Sequence, residues 1–162
     1  MDTRISQLVR AEPQRIFELA SRVEDWPRLL PHYRWVHVLA DDWPHRRLVE
    51  MAARRDVLGP LSVPLRWTAI ETLYQENTRI EFEHVAGITR GMQVAWTIVP
   101  VPNAAHTVQV EIRHVFEPHW PAPEALVRSV VGEYFVNGVA RRTLAYLGAL
   151  AQRSSDPTQR PS

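Results

Sequence analysis

Residues 123–152 of the chain read PEALVRSVVGEYFVNGVARRTLAYLGALAQ, and this stretch decides the fold. Pro123 and Glu124 are typical of a first helical turn, where proline loses no hydrogen bond and an acid favours the helix dipole. Beyond them, apolar residues recur every three or four positions from Leu126 to Leu150, as on one face of an amphipathic helix. The stretch therefore predicts a helix about 43 Å long, which needs an equally long partner surface.

The composition of the chain limits its size class and its partners. Its 162 residues, 45% of them hydrophobic, suit a single domain with one core. The net charge of +1 gives no electrostatic footprint for nucleic acid, and no stretch reaches the ~20 apolar residues of a membrane span. Cysteine is absent, which excludes disulfides and thiolate chemistry and fits a cytoplasmic protein. We expect residues 1–152 to form the domain and residues 153–162 to be a disordered tail without apolar side chains.

The sequence before the long helix predicts one strand, two short helices and six further strands. The first strand covers residues 3–10, one helix starts at Pro13, and a second helix or turn covers residues 24–31. Segments of strand-like period two then follow at 33–39, 46–57, 63–73, 78–84, 92–99 and 107–116. Short turns between them are typical of an antiparallel meander. We predict an α+β fold in which a curved antiparallel sheet of about seven strands wraps around the C-terminal helix and leaves a cavity.

Residues spread along the whole chain are shared with a known superfamily. They are Ala11-x-Pro13, Ile16-Phe17, Glu24-Asp25-Trp26-Pro27-x-Leu29, Tyr33, Trp67, Arg90-Gly91-Met92, Trp96, Asn137 and Arg141. On these residues the chain resembles the START-related, birch-pollen-allergen-type (SRPBCC) superfamily over residues 3–151, and within it the polyketide cyclase/aromatase and dehydrase branch. The resemblance implies the helix-grip fold. It implies less about function, because the superfamily includes cyclases, hydrolases, lipid carriers and ligand receptors.

Three ionisable side chains fall on the inward, apolar faces of the predicted strands: Glu71, His84 and His114. A turn near residues 75–77 brings Glu71 opposite Phe82 or His84, so that a carboxylate and an imidazole can act as an acid/base pair. In the alternative interpretation each is a satisfied polar residue at the rim of the cavity, or Glu71 pairs with Arg79. The candidate catalytic residues are therefore Glu71, His84 and His114.

The candidate ligand-binding residues are mainly aromatic. Cyclases of this family orient a polyketide with pocket tryptophans and a tyrosine, and are thought to use polar residues, including arginines, for enolisation and dehydration. The family's pocket pattern is matched by Trp26, Tyr33, Trp67, Met92 and Trp96, and the inward face of strand 78–84 adds Phe82. The alternative for each aromatic ring is ordinary core packing. The inward arginines of the family do not carry over, because Glu71 and His84 take their places.

Polar residues on the long helix extend this set. Tyr134, Asn137 and Arg141 follow one another at three- and four-residue steps along one face and can bind carbonyl or hydroxyl groups of a ligand. The alternative is a helix edge that reaches solvent. Arg46-Arg47 and Arg54-Arg55 are interpreted as solvated strand positions. No metal-binding histidine spacing, phosphate loop or nucleophile elbow occurs, so we expect no metal and no cofactor.

Two functions stay open on the sequence. The first is a cyclase, aromatase or dehydratase that acts without a cofactor on a polyketide-like or other aromatic substrate. The second is a carrier that binds a quinone, lipid or polyketide without chemistry, while co-chaperone-like protein binding is a third class that no feature requires. The expected partner is a small hydrophobic molecule, with no nucleic acid and no stable membrane insertion. The expected assembly is a monomer or a homodimer.

Overall fold

The computed structural model describes residues 1–42, 44–58, 61–117, 121, 125 and 138–154. Seven strands form one antiparallel sheet in the order β1-β7-β6-β5-β4-β3-β2. The strands are β1 Asp2–Val9, β2 Tyr33–Asp42, β3 Arg46–Leu58, β4 Leu61–Tyr74, β5 Arg79–Gly87, β6 Gln93–Pro100 and β7 Val108–Val115. The predicted helix-grip fold of class α+β is confirmed.

Two short helices follow β1, as predicted. They are α1 Pro13–Ser21, which starts with proline in its first turn, and α2 Trp26–Leu29, joined by a 3₁₀ turn at Val23–Asp25. A second 3₁₀ turn covers Gln75–Asn77, and the C-terminal helix α3 is Arg141–Ser154. Residues 123–124 and 126–137 of the predicted long helix lie outside the described residues. The helix ends at Ser154, two residues beyond the boundary expected from the sequence.

The pairing of the strands positions α3 against the first part of the chain. Strands β2 to β7 form a meander, and β1 closes the sheet by pairing with β7 from Asp2↔Val115 to Val9↔Val108. The helix α3 packs on β1 and α1. A methyl group added at Gly148 would lie 3.2 Å from Val9 Cγ2, so this glycine allows helix and strand to approach closely.

The alternation along β4 to β7 agrees with the burial of the side chains. Each of these strands has a run of alternate residues that face the core and are buried, because side chains of a strand point alternately to the two faces of the sheet. The inward set comprises Leu65, Trp67, Ala69, Glu71, Leu73, Ile80, Phe82, His84, Val94, Trp96, Ile98, Val108, Val110, Ile112 and His114. Among the described residues, no helix combines the length and the hydropathy that crossing a bilayer requires.

Candidate functional site

A cavity lies between the inner face of the sheet, α2 and the beginning of α3. The space free of atoms, including the part open to solvent, is about 370 Å³. The described residues that line the cavity are mostly apolar: Trp26, Tyr33, Met51, Trp67, Phe82, Val94, Trp96, Ile112, Val139 and Ala140, together with the polar His84, His114 and Thr143.

Aromatic rings form one continuous group around this cavity. The Trp26 ring meets Tyr33 edge-on with centroids 5.0 Å apart, and lies 6.2 Å from the Trp96 ring. Tyr33 in turn lies 6.1 Å from Trp67. The indole N–H of Trp26 donates to the Leu19 carbonyl oxygen at 3.1 Å, so α1 holds this ring in place. Because that N–H is already bonded, Trp26 offers a ligand its ring surface.

The two inward histidines reach the cavity from strands on either side of β6. His84 comes from β5 and His114 from β7, where His114 pairs with Val94 of β6. Burial, followed by the proximity of His114, lowers the pKa of His84 to about 3. Burial likewise lowers the pKa of His114 to about 4. Both imidazoles are therefore neutral at pH 7, since water no longer stabilises their charged form.

Trp67 and the hairpin between β5 and β6 fix the orientation of His84. Its ring stacks on Trp67 with centroids 5.9 Å apart and 10° between the planes. Its Nδ1 lies 2.7 Å from Thr89 Oγ1 in the hairpin loop. Both contacts are buried, so His84 is held on two sides.

The third predicted catalytic residue, Glu71, forms a buried ion pair with Arg47. Arg47 Nε donates to Glu71 Oε2 at 2.8 Å, and Arg47 Nη2 lies 2.7 Å from the same oxygen. Arg47 also donates to the Ser21 carbonyl oxygen and, at 3.1 Å, to the Glu24 carboxylate. The guanidinium therefore joins β3 and β4 to the segment that leads into α2 and its Trp26.

The burial of this ion pair overturns the prediction that Arg47 is solvated. The Arg47 side chain is only 3% exposed and lies directly opposite Glu71 in the β3–β4 pairing. Burial raises the pKa of Glu71 to about 7, and the attraction of Arg47 only partly opposes this shift. We attribute the net direction to Glu71 Oε1, which is buried and has no hydrogen-bond partner among the described residues.

The predicted acid/base pair of Glu71 and His84 is not assembled. Glu71 does lie opposite Phe82, one of the two predicted registers. Its carboxylate nevertheless contacts Arg47, and Glu71 is not among the described residues that line the cavity. The reason is electrostatic, because a cationic guanidinium across the strand stabilises a buried carboxylate better than a neutral imidazole. The alternative pairing of Glu71 with Arg79 is also wrong, since Arg79 contacts Glu81.

The candidate ligand-binding residues divide into three groups. Five of them line the cavity: Trp26, Tyr33, Trp67, Phe82 and Trp96. Met92 is fully buried but is not part of the described lining, and Arg141 is exposed on α3. Tyr134 and Asn137 lie outside the described residues.

Arg141 does not line the described part of the cavity. A π-helical turn covers residues 138–140, and α3 begins directly after it at Arg141, which is exposed. Thr143 lies four residues after Val139 and three after Ala140, on the same side of the helix, and lines the cavity together with them. No pattern in the sequence distinguishes this threonine from others.

Thr143 connects the cavity to a buried histidine behind it. The Thr143 hydroxyl donates to the Val139 carbonyl oxygen at 2.9 Å and lies 2.9 Å from His32 Nε2. Burial, with a smaller effect of Arg142, lowers the pKa of His32 to about 4. Burial also raises the pKa of Tyr33 well above its usual value, which a hydrogen bond with Thr143 reduces only in part. Tyr33 therefore keeps its hydroxyl proton at neutral pH.

Potential metal ligands are scattered in this part of the molecule. Within the described part of the chain, no three histidine or carboxylate side chains lie close enough together to hold a metal ion. The described residues therefore offer hydrogen-bonding and apolar groups to a ligand. The expectation that no cofactor is needed stays a prediction.

Residues 9–141 match the model of the family described as polyketide cyclase / dehydrase and lipid transport, and the chain belongs to this family. No curated protein matches the chain in sequence. Among solved structures, the chain is similar to TTHA0849 from Thermus thermophilus, with a TM-score of 0.76, 20% identity, and 96% of this chain and 100% of that chain covered. It is similar to the Zhui aromatase/cyclase from Streptomyces sp. R1128, with a TM-score of 0.73, 17% identity and 98% of each chain covered.

A START superfamily protein from Mycobacterium smegmatis is also similar, with a TM-score of 0.68, 16% identity, and 95% of this chain and 99% of that chain covered. At these identities the structural likeness shows the fold alone. The family match confirms the expected polyketide cyclase and dehydrase branch, and the structural likeness shows that the chain shares the fold of the START superfamily protein.

Proposed function

We propose that the protein is a cofactor-independent cyclase, aromatase or dehydratase that takes up a polyketide-like or other aromatic substrate in the cavity. The observation that carries the proposal is the pair of buried, neutral imidazoles, His84 and His114, on a wall otherwise built from aromatic and aliphatic side chains. Flat apolar rings suit such a wall, and a small number of polar groups then determines the orientation of the ligand.

Neutral imidazoles are suited to the enolisation that starts a cyclisation. Each neutral ring has one N–H donor and one bare nitrogen. The bare nitrogen of one ring removes a proton from the carbon between two carbonyl groups. The C–H electron pair becomes a C=C bond, and the carbonyl oxygen takes the negative charge, where the N–H of the other ring stabilises it.

The enolate then completes the reaction within the same substrate. Its carbon bonds to a second carbonyl carbon, and the oxygen at that carbon takes up the proton that the imidazole had removed. The resulting alcohol leaves as water when the neighbouring carbon gives up a further proton, which produces a double bond of the new ring. No redox partner enters this sequence.

We assign Glu71 a structural role and not a catalytic one. Its contact with Arg47 holds β3 and β4 to the segment before α2, and α2 supplies Trp26 to the cavity wall. We therefore restrict the proposed catalytic residues to His84 and His114. The proposed ligand-binding residues are Trp26, Tyr33, Trp67, Phe82 and Trp96, with Thr143 added.

A carrier without chemistry is the second candidate. It is favoured by the described lining, in which no side chain is a carboxylate, a lysine or an arginine. The family description also includes lipid transport. Native mass spectrometry after gentle purification separates the two functions, because a carrier retains a co-purified apolar molecule.

The lack of cysteine fits the cytoplasmic location that we expect for either function.

The test of the first function is the product profile of a poly-β-ketone substrate with and without the protein. We expect His84→Gln and His114→Gln each to lower the rate of ring formation by ~100- to 10,000-fold, as for a group that moves a proton. His45→Gln is the matched control, because His45 is exposed and lies outside the cavity lining. A wild-type protein that binds the substrate and returns it unchanged would contradict the proposal.

A further inference from the structure

The hairpin loop between β5 and β6 is built to bring one hydroxyl group to His84. Gly87 and Gly91 have φ angles of 95° and 93°, which turn the chain back on itself. The Gly91 N–H donates to the His84 carbonyl oxygen at 2.8 Å, and the Met92 N–H donates to the Thr89 carbonyl oxygen at 2.9 Å. These bonds place the Thr89 side chain, which is fully buried, 2.7 Å from His84 Nδ1.

Counting protons assigns the direction of this hydrogen bond. Among the described residues, His84 Nδ1 is the single hydrogen-bond partner of the Thr89 hydroxyl. A hydroxyl has one proton to donate. If Nδ1 carried the proton and donated it to Thr89, the hydroxyl proton would stay unpaired in a fully buried position, which is unfavourable. If Thr89 donates to a bare Nδ1, both groups are satisfied.

The position of the ring proton follows from the same count. Burial keeps the His84 ring neutral at pH 7, so the ring carries a single N–H proton. With Nδ1 bare, that proton is on Nε2, at the end of the ring away from the backbone. Among the described residues, the Trp67 indole from β4 and His114 from β7 face this ring. Neither carries a charge at neutral pH, because burial also keeps His114 neutral.

We propose that Thr89 is a positioning residue that donates to His84 Nδ1 and thereby holds the His84 proton on Nε2, so that the cavity recognises a carbonyl oxygen at this wall. The proposal deepens the proposed function and rests on it for the identity of the site. It assigns the oxygen-binding part of the chemistry to His84 and the proton-accepting part to His114. It also predicts that the protein prefers aromatic ketones to hydrocarbons of the same shape.

The first test is ¹⁵N NMR of the histidine rings in the ligand-free protein, which distinguishes bare from proton-bearing nitrogens. We expect His84 to show a bare, hydrogen-bonded Nδ1 and a protonated Nε2. Thr89→Ser retains the hydroxyl and should keep the Nδ1 resonance, whereas Thr89→Val removes it and should shift the resonance. A proton-bearing Nδ1 in the wild type, or the same resonance in Thr89→Val, would overturn the proposal.

The second test compares 2-acetylnaphthalene with 2-ethylnaphthalene, which have similar shapes but differ in the carbonyl oxygen. Thr89→Val should weaken binding of the ketone roughly two- to tenfold and leave the hydrocarbon unchanged, as for the loss of one oriented hydrogen bond. Thr89→Ser should bind both like the wild type. Equal losses for both ligands in Thr89→Val would show that Thr89 only packs. If neither ligand binds the wild type, the proposed function fails, while the ring NMR still decides the role of Thr89.

Discussion

At the scale of single residues, Arg47 and Glu71 form a buried ion pair whose two charges depend on each other. The Glu71 side chain is fully buried and the Arg47 side chain is 3% exposed, so neither charge has water to stabilise it. Removing one member of such a pair leaves the other uncompensated, whereas removing both replaces the pair by apolar packing. The pair therefore makes the sheet sensitive to single substitutions at these two positions.

We expect Arg47→Met to lower the free energy of unfolding by ~3–5 kcal/mol in urea denaturation at pH 8, where Glu71 is ionised. The double variant Arg47→Met/Glu71→Leu should recover most of this loss. Arg66→Met is the control, because its contact with Glu50 is at the surface and its loss should cost less than ~1 kcal/mol. Strictly additive losses in the double variant would show that the two side chains are not coupled.

The tryptophans of the cavity give a second prediction at this scale. Trp67→Ala and Trp96→Ala should weaken the binding of an apolar fluorescent probe, because both rings line the cavity. Trp35→Ala is the matched control, since Trp35 stacks on His37 and has Arg66 over its ring, away from the cavity lining. The affinity is read from a titration of the probe's emission. An unchanged affinity in both cavity variants would show that these rings pack in the core and do not contact the probe.

The sequence correctly predicts which side chains face the core where the alternation along a strand determines their direction. Glu71, His84 and His114 are inward and buried as expected, because alternation needs no knowledge of neighbouring strands. Arg47 was missed because its charge suggests solvent, and only the β3–β4 register brings it opposite Glu71. An irregularity in the β3–β4 pairing between Asp56 and Leu58 shifts that register by one residue. Thr89 was not recognisable, since its role depends on how a loop folds over a neighbouring strand.

At the scale of elements, the β5–β6 hairpin depends on Gly87. Its φ of 95° is a conformation that other residues adopt only with strain. A Cβ atom there would also lie 2.6 Å from the Arg66 carbonyl oxygen and 3.0 Å from Trp67 Cα, both of β4. The hairpin therefore uses a glycine to approach the neighbouring strand and to present Thr89.

Gly87→Ala should destabilise the protein by at least ~1–3 kcal/mol in thermal or urea unfolding, since backbone strain alone costs this much. His84 ring resonances should shift in the same variant, because the loop that carries Thr89 must move. Ala86→Gly, at the exposed neighbouring position, should cost less than ~1 kcal/mol. A fully stable Gly87→Ala variant with unchanged ring resonances would contradict this account.

The sequence predicts the strands well, because alternation and turn residues agree there. The predicted strand boundaries on β4, 63–73, lie within two residues of the observed Leu61–Tyr74. On the C-terminal helix, Arg141 is exposed, whereas Thr143 lines the cavity. A helical repeat shows which residues share a face, but the direction of a face that carries both polar and apolar residues depends on how the helix packs on the sheet.

At the scale of the whole molecule, four buried groups couple stability to pH in opposite directions. His32, His84 and His114 have pKa values of about 4, 3 and 4 in the folded state, against 6.5 for an unperturbed histidine. Below pH 6.5 the unfolded chain therefore binds more protons at these positions, and stability falls as the pH falls. Glu71 acts in the other sense between pH 4.5 and 7, because its folded pKa is raised and the folded state binds the extra proton.

We expect the wild type to be less stable at pH 5 than at pH 7, since three histidines outweigh one carboxyl group. Glu71→Gln removes the opposing group. The free energy of unfolding of this variant should therefore fall more steeply on acidification than that of the wild type, and the two slopes should differ by up to ~1.4 kcal/mol per pH unit. Urea unfolding at both pH values measures the two slopes. Equal stability of the wild type at pH 5 and pH 7 would show that the buried histidines do not stay neutral.

The pairing of β1 with β7 also governs the order in which the chain can fold. The hairpins from β2 to β7 join neighbours in sequence, whereas Asp2 must meet Val115 before the sheet is complete. On the ribosome, the first strand to emerge therefore waits for the last strand to be synthesised. Non-local closure of this kind is slow, typically in the millisecond-to-second range for sheets dominated by distant contacts. During that wait the apolar face of β1 also lacks α3, the helix that packs on it in the folded protein.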